Sequence, residues 1–364
     1  VALCEHSVIG AGASGRNGGF CSSGWAAGLD QITRLVGPLV SKELELIGAD
    51  GFKWMRDRAF SSKYTKAQPI SGIISLGLKG QISEGSERLD EVELKKFVDG
   101  PRYKWGKIDN EAFHFHPLNF LKTFLQEAIS HGVKVFENTG EVQLNGSEIY
   151  FSNGNRISCD RMIWATGGYS IEKNSTLKKY LLPIQTFICV TSPMPEILET
   201  YIPTRMALGD DRRAGNYFRR LPDGRLLWGM GVSALNQQSV ESIKQMGWKN
   251  IKAHFPNMIV EMKQNNIKFD YAWSGLMAYA SHFMPYVGKL NERESILSGF
   301  GGHGMNTAPI AGKRMALFLN GDKNMLDPFL EIPRRNVFGL IGRLGAEFEY
   351  RRLRVIDFIA EALG

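Results

Sequence analysis

The spacing of apolar residues divides the chain into stretches of two kinds. Val1–Glu5 is a short apolar run that ends on an acid, as a buried strand does, and residues 6–28 are Gly- and Ser-rich with little helical pattern. Residues 29–62 are helix-rich. Pro69–Leu78 alternates and is β-branched, which predicts a strand, and Gln81–Val98 has the charge pattern of a solvated helix. Leu118, Leu121, Phe124, Leu125 and Ala128 share one face of a helix predicted over Leu118–His131 and ended by Gly132. Val133–Glu137 then reads as a strand. A meander follows, Glu141–Leu144, Glu148–Phe151 and Arg156–Ser158, with turns at Asn145-Gly146 and Asn153-Gly154. Arg161–Gly168 runs apolar into a Gly pair, the pattern of a buried parallel strand with a phosphate-approach turn at its end.

From Ile184 to Met284 the rhythm changes to strands and turns: Gln185–Thr191, Tyr217–Leu221, the Pro222-Asp223-Gly224 turn and Leu226–Gly229. A helix is predicted over Ser239–Phe255, and apolar alternation resumes at Ile267, Phe269, Tyr271 and Trp273. Leu297–Asn306 returns to a Gly-rich turn that leads into a helix at Ala308–Leu319. The last stretch, Glu347–Leu363, is helical, with Phe348, Val355, Ile356, Ile359 and Leu363 as its apolar positions. Those positions are expected to pack on the body of the protein, so no membrane contact is expected.

Length and composition narrow the classes. A chain of 364 residues suits two joined domains, and 40 glycines with 22% charged residues fit an α/β protein with many tight turns. The net charge of +7 is spread over pairs such as Arg212-Arg213, Arg219-Arg220 and Arg351-Arg352, without a basic tract or an aromatic ladder, so nucleic acid is not an expected partner. Four cysteines without a C-x-x-C pair point to a reducing compartment, the cytoplasm, and away from zinc. His114-x-His116 would place two rings on one strand face, but no third ligand accompanies them and no metal is expected.

Gly10-Ala11-Gly12-Ala13-Ser14-Gly15 matches the G-x-G-x-x-G pattern of a dinucleotide-binding turn. Such a turn opens a helix of about ten residues or more. Here Gly18, Gly19, Gly24 and Gly28 follow, each costing a helix about 1 kcal/mol relative to Ala, and no second strand precedes Asp30. The better reading makes Val1–Glu5 the second strand of the unit, with a terminal carboxylate that would accept hydrogen bonds from ribose hydroxyls. On that reading the first strand and the G-x-G-x-x-G turn lie upstream of Val1. The chain as written is then expected to bind its cofactor more weakly than a form extended by about 30 residues, or to be a non-catalytic remnant.

Gly12-Ala13-Ser14-Gly15-Arg16-Asn17-Gly18-Gly19-Phe20 resembles the G-A-S-G-R-N-G-G segment of the D-amino-acid oxidase and glycine oxidase superfamily of FAD enzymes, nearest its γ-glutamylputrescine oxidase-like branch. Further matches fall in order: His116-Pro117 before a helix, Ala165-Thr166-Gly167-Gly168-Tyr169, Asp211-Arg212-Arg213, Tyr271–Gly275, Met284–Gly288 and Gly301-Gly302-His303-Gly304-Met305. The resemblance implies an α/β fold of two domains, a Rossmann-like FAD domain and a sheet-rich substrate domain. Boundaries are expected at 1–30, 110–175 and 285–325 for FAD, at 31–109 and 176–284 for substrate, and at 326–364 for a C-terminal helical segment.

By the same resemblance Glu5 holds the adenosine ribose. Ser14, Arg16, Asn17, Gly18 and Gly19 lie along the pyrophosphate and flavin, Val142 brackets adenine by main-chain contacts, and Ala165, Thr166 and Gly167 pass the phosphates. Gly302, His303, Gly304 and Met305 open a helix toward the flavin. Some relatives attach FAD covalently through a His or Cys; Asn17-Gly18 and Leu276–Tyr279 stand in those regions, so FAD is expected to be non-covalent. The implied reaction is oxidation of a CH–NH or CH–NH2 donor, an amine or amino acid such as γ-glutamylputrescine, with hydride passing to flavin N5, an imine that water hydrolyses, and electrons passed to O₂ or another acceptor. A D-amino-acid dehydrogenase or a sarcosine- or glycine-oxidase-type enzyme remains an open alternative. Tyr217, Trp273, Tyr279, His282 and His303 are candidates for substrate contact, because aromatic faces suit an amine and its alkyl chain. Arg212, Arg213 and Arg219 are candidates for a substrate carboxylate, with solvated surface basics the favoured reading.

Overall fold

The computed structural model describes residues 1–78, 88–145, 148–210, 212, 215–235 and 237–363. The chain opens with β1 (Ala2–Cys4), a single helical turn α1 (Ala13–Arg16) and β2 (Phe20–Cys21). Helices α2 (Leu29–Val36) and α3 (Pro38–Ala59), strand β3 (Ile70–Leu78), the turn α4 (Glu91–Leu94), the long β4 (Tyr103–His114) and α5 (Pro117–Ser130) follow. Five short strands come next: β5 (Lys134–Phe136), β6 (Val142–Asn145), β7 (Glu148–Phe151), β8 (Arg156–Ser158) and β9 (Met162–Trp164). Helix α6 (Ser175–Tyr180), β10 (Leu182–Thr191), α7 (Pro195–Tyr201), β11 (Ala207–Asp210), β12 (Tyr217–Arg220) and β13 (Leu226–Ser233) lead to α8 (Val240–His254), α9 (Pro256–Gln264) and β14 (Phe269–Tyr279). The chain closes with β15 (Tyr286–Lys289), β16 (Glu294–Ser298), α10 (Gly304–Leu319), α11 (Asp327–Leu330) and α12 (Leu340–Leu363).

This is a two-domain α/β fold. One sheet of eight strands, in the order β14-β10-β13-β12-β11-β3-β4-β2, gathers residues from across the chain. Its core is aromatic: Phe218 stacks on Trp228 at 4.5 Å, Tyr103 and Phe255 flank them, and all four are fully buried. The other strands form small sheets. β1 pairs in parallel with β5, β6-β7-β8 is the meander, and β9 pairs in parallel with β16, which pairs with β15. The last of these packs with α3 and α10 around a second core that includes Leu44, Trp164, Ala311 and Met315. Among the described residues β1 has a strand partner on one edge only, and Leu3 and Ile163 keep 41% and 40% of their surface in solvent.

Gly12–Asn17 opens one helical turn and no more, as the following glycines require. Three expectations need correction. Of the solvated helix over Gln81–Val98, residues 81–87 lie outside those described, and the remainder holds only the turn α4, capped by Asp90. His114 and His116 do not share a strand face: His114 ends β4, and His116 caps α5, its Nδ1 accepting the Asn119 N–H at 3.3 Å. The C-terminal helix does not pack its apolar face on the body. Phe348, Val355 and Ile359 are 70%, 56% and 47% exposed, while Arg343 donates to the Ala234 carbonyl and Glu347 accepts from Ser233 and the Ala234 amide. No described helix is long and apolar enough to cross a membrane.

Candidate functional site

Strand β14 organises the site. The Trp273 indole donates to the Arg16 carbonyl at 2.8 Å, and the Arg16 guanidinium reaches the Ser274 carbonyl at 3.4 Å. Three residues on, the Leu276 amide donates to the Tyr169 hydroxyl at 3.2 Å, and the Tyr169 ring covers Gly12. At the strand's end the Gly301 amide donates to the Ala278 carbonyl at 3.0 Å, and Tyr279 bridges to Phe300. The three Gly-rich segments singled out in the sequence, 12–19, 165–169 and 301–305, are thus strung along one strand.

The first loop is shaped by its own residues and by one arginine. The Asn17 amide nitrogen donates to the Ala13 and Ser14 carbonyls, both at 3.0 Å, and its oxygen accepts the Gly19 N–H at 2.8 Å. Asn17 therefore shapes the loop with its side chain. Gly18 lies so close to the Tyr217 ring that a Cβ would sit 2.6 Å from it. Gly19 takes a left-handed φ of +81°, and a Cβ there would meet the Phe115 carbonyl at 2.0 Å. Arg219 ties this corner together. It donates to the Gly18 carbonyl at 2.8 Å and the Phe115 carbonyl at 3.0 Å, and contacts the His114 Nδ1 at 3.2 Å. Burial lowers its pKa to about 10, still cationic at neutral pH, and burial, with the Arg219 charge second, lowers that of His114 to about 4. Arg219 is thus neither a solvated basic nor free for a substrate carboxylate.

Two of the aromatic candidates face this loop and the third Gly-rich segment. Tyr217 packs edge-on to Phe20, with ring centres 5.4 Å apart, and burial pushes its pKa up to about 12. Tyr279 lies beside Gly301 and Gly302, and burial raises its pKa well above 10, so both phenols keep their protons at neutral pH. His303 is half-buried with Nε2 3.5 Å from the Ser22 hydroxyl, and burial lowers its pKa below 6.5. Its ring is therefore neutral above that value. Gly304 and Met305 begin α10, whose N-cap His303 makes no side-chain cap bond, leaving first-turn N–H donors for a ligand. His282 is not with them. Its Nδ1 accepts the Met284 amide and its Nε2 lies 3.1 Å from the Pro333 carbonyl, so the ring is used internally. Arg212 is paired with Asp210, and Arg213 lies outside the described residues.

Glu5 and Val142 belong to a second cluster. Glu5 follows β1, its carboxylate accepts the Ser7 amide at 3.1 Å, and its carbonyl accepts from Thr139. Gly140 and Asn138 donate to His6 and Ser7, which seats the start of β6 against this loop. Sequence reasoning missed the clamp by Arg219, the Tyr169 contact, and Tyr350, which α12 brings near Tyr279. Tyr169 was legible as the residue ending the Ala165–Tyr169 motif. Arg219 had no signal, because its partners are carbonyls 201 and 104 residues away in the chain.

The donor set suits FAD. Ser14 and the Arg16 side chain are exposed at the first loop, Ala165 and Thr166 are exposed beside Gly167, and a Cβ on Gly167 would meet nothing within 4 Å. An exposed fork of N–H donors, an open turn and an uncapped helix N-terminus are what a pyrophosphate and an electron-rich ring system require.

A family model described as FAD dependent oxidoreductase matches residues 1–317. A probable oxidoreductase, OrdL, of Haemophilus influenzae is 25% identical over 365 residues, covering 93% of this chain and 81% of the relative. The gamma-glutamylputrescine oxidoreductase of Escherichia coli is 25% identical over 351 residues, covering 92% and 81%. Among solved structures, glycine oxidase from Geobacillus kaustophilus superposes with a TM-score of 0.63 at 15% identity, covering 92% of each chain. L-amino acid deaminase from Proteus vulgaris gives 0.65 at 16% identity, covering 90% of each. With seven-eighths of its length matched, the chain belongs to the DAO family of FAD-dependent oxidoreductases.

Proposed function

We propose that the protein oxidises the C–N bond of an amine carrying an alkyl chain, for which γ-glutamylputrescine, the substrate in the name of the Escherichia coli relative, is the first compound to test. The observation that carries the reading is β14, which presents Trp273, Met277 and Tyr279 beside all three Gly-rich segments. FAD, when bound, would supply the two-electron oxidation of the C–N bond. The chain's own residues position and shield. Glu5, Val142, the loop Ser14–Gly19, Ala165–Gly167 and Gly302–Met305 would hold the cofactor. Tyr217 and Tyr279, both protonated, offer apolar faces with a donor at the tip, and neutral His303 adds no charge to repel an ammonium group. The imine product is hydrolysed by water, and the electrons leave to O₂ or another acceptor. The functional division we propose assigns 1–30, 110–175 and 285–325 to FAD and 31–109 and 176–284 to substrate.

Anaerobic mixing of the flavoprotein with a panel of amines and amino acids tests this. Bleaching by γ-glutamylputrescine faster than by glycine, sarcosine or D-amino acids is expected. Bleaching by D-amino acids alone would overturn the substrate assignment. Admitting air then times reoxidation, and a slow return of the yellow colour identifies a dehydrogenase.

A further inference from the structure

We propose that α12 seats the protein flat on an anionic lipid surface. The helix is attached to the body by its polar side. Arg343 donates to the Ala234 carbonyl at 2.7 Å and to Glu172 at 3.1 Å, Glu347 accepts from Ser233 and the Ala234 amide, and Glu361 pairs with Arg102. On an α-helix, positions 343, 347, 350, 354, 357 and 361 share one face, and all but Arg354 are half-buried or better. The opposite face is apolar and open. Ile341, Leu344, Phe348, Val355 and Ile359 form one stripe at helical spacing, 74%, 52%, 70%, 56% and 47% exposed, with Phe358 beside it at 69%. Monomeric proteins seldom leave so continuous an apolar strip in water.

The charges choose the partner. Arg351 and Arg352 lie on either flank of the stripe, 69% and 49% exposed, whereas Arg354 is exposed on the attached face. Arg351 and Arg352 also pair with Glu347 and Glu349 along the helix. Arg351 and Arg352 sit at the midpoint of α12, so a second copy packed by a two-fold axis through this stripe would bring the two pairs face to face. Like charges opposed at an interface cost affinity. Anionic headgroups remove that conflict, accepting the arginines while the acyl boundary takes the apolar side chains. The helix spans about 36 Å at 1.5 Å per residue, a length lying in the interface plane, and it is not apolar enough to cross.

Co-flotation of the full chain with vesicles decides it, using phosphatidylcholine alone and phosphatidylcholine mixed with phosphatidylglycerol. Binding to the mixed vesicles is expected, falling as salt rises. The double variant Arg351→Gln, Arg352→Gln should bind about 25-fold more weakly, roughly fivefold per arginine. Replacement of the same two by Lys should retain binding, which separates lost charge from lost folding. Phe348→Ser with Phe358→Ser should abolish flotation while the flavin spectrum and circular dichroism stay those of the parent. Equal recovery with and without phosphatidylglycerol overturns the proposal, as does a vesicle-free dimer that the Phe348→Ser, Phe358→Ser variant converts to monomer.

Discussion

The eight-stranded sheet and the two-stranded sheet β1-β5 are opposite extremes of one chain. In the first, Phe218, Trp228 and Phe187 are at most 1% exposed and strands pair over as many as ten residues. In the second, three residue pairs hold the strands, and Leu3 and Phe136 are 41% and 45% exposed. Stability per residue follows apolar burial, so the large sheet folds on its own side chains. The small sheet owes its order to turn hydrogen bonds around Glu5–Ser7 and Asn138–Gly140.

The largest test of this contrast is a pair of truncations. Trp228→Ala, in the stacked aromatic core, should cost about 3–5 kcal/mol in urea unfolding, and Leu3→Ala less than about 1 kcal/mol. Similar costs would erase the distinction. Acid should come next in effect. His114 and His254 are held neutral in the large-sheet half with pKa values of about 4 and about 3, each depressed first by burial. An unfolded chain takes up those protons near 6.5, so stability is fully present above pH 6.5 and is lost as pH falls toward 4. His114 alone accounts for roughly 3 kcal/mol at 1.36 kcal/mol per unit. His114→Asn should flatten that slope in urea titrations between neutral and acid pH. A steeper fall in the variant would refute the assignment.

Cofactor should act on the other side. FAD at a hundred times its Kd adds about 2.7 kcal/mol of stability. The accompanying hydrogen-exchange protection should appear at residues 5–19, 162–168 and 301–305, with the amides of β10 and β13 little changed; protection confined to β10 and β13 would break the comparison. The smallest effect is that of Trp273→Phe, which removes one hydrogen bond to the Arg16 carbonyl, worth about 1 kcal/mol. Titration with FAD should show roughly fivefold weaker binding.

Much of this was legible because it is local. The periodicity of Leu118–Ala128 gave α5 within a residue, and the ordered Gly-rich motifs named the three segments that meet at β14. β4 was not legible. Its Lys107–Glu111 stretch is mostly polar and exposed, reading as a loop, and only its long pairing with β3 makes it a strand. α10 begins at Gly304, four residues before the expected Ala308, and carries Pro309 inside it, where the ring removes the i→i−4 bond to the Met305 carbonyl. The exposed face of α12 was misread because amphipathic spacing states that a helix has two faces, and the side chains of the body decide which one is covered.

The Arg219 clamp also bears on how the protein could be re-engineered. A buried cation that answers to two carbonyls and a neutral imidazole is a keystone fitted to one side chain: lysine brings the charge but only one branch, and glutamine a fork of different reach. Libraries aimed at new substrates have no freedom at the residue that fixes the Gly18 and Phe115 carbonyls.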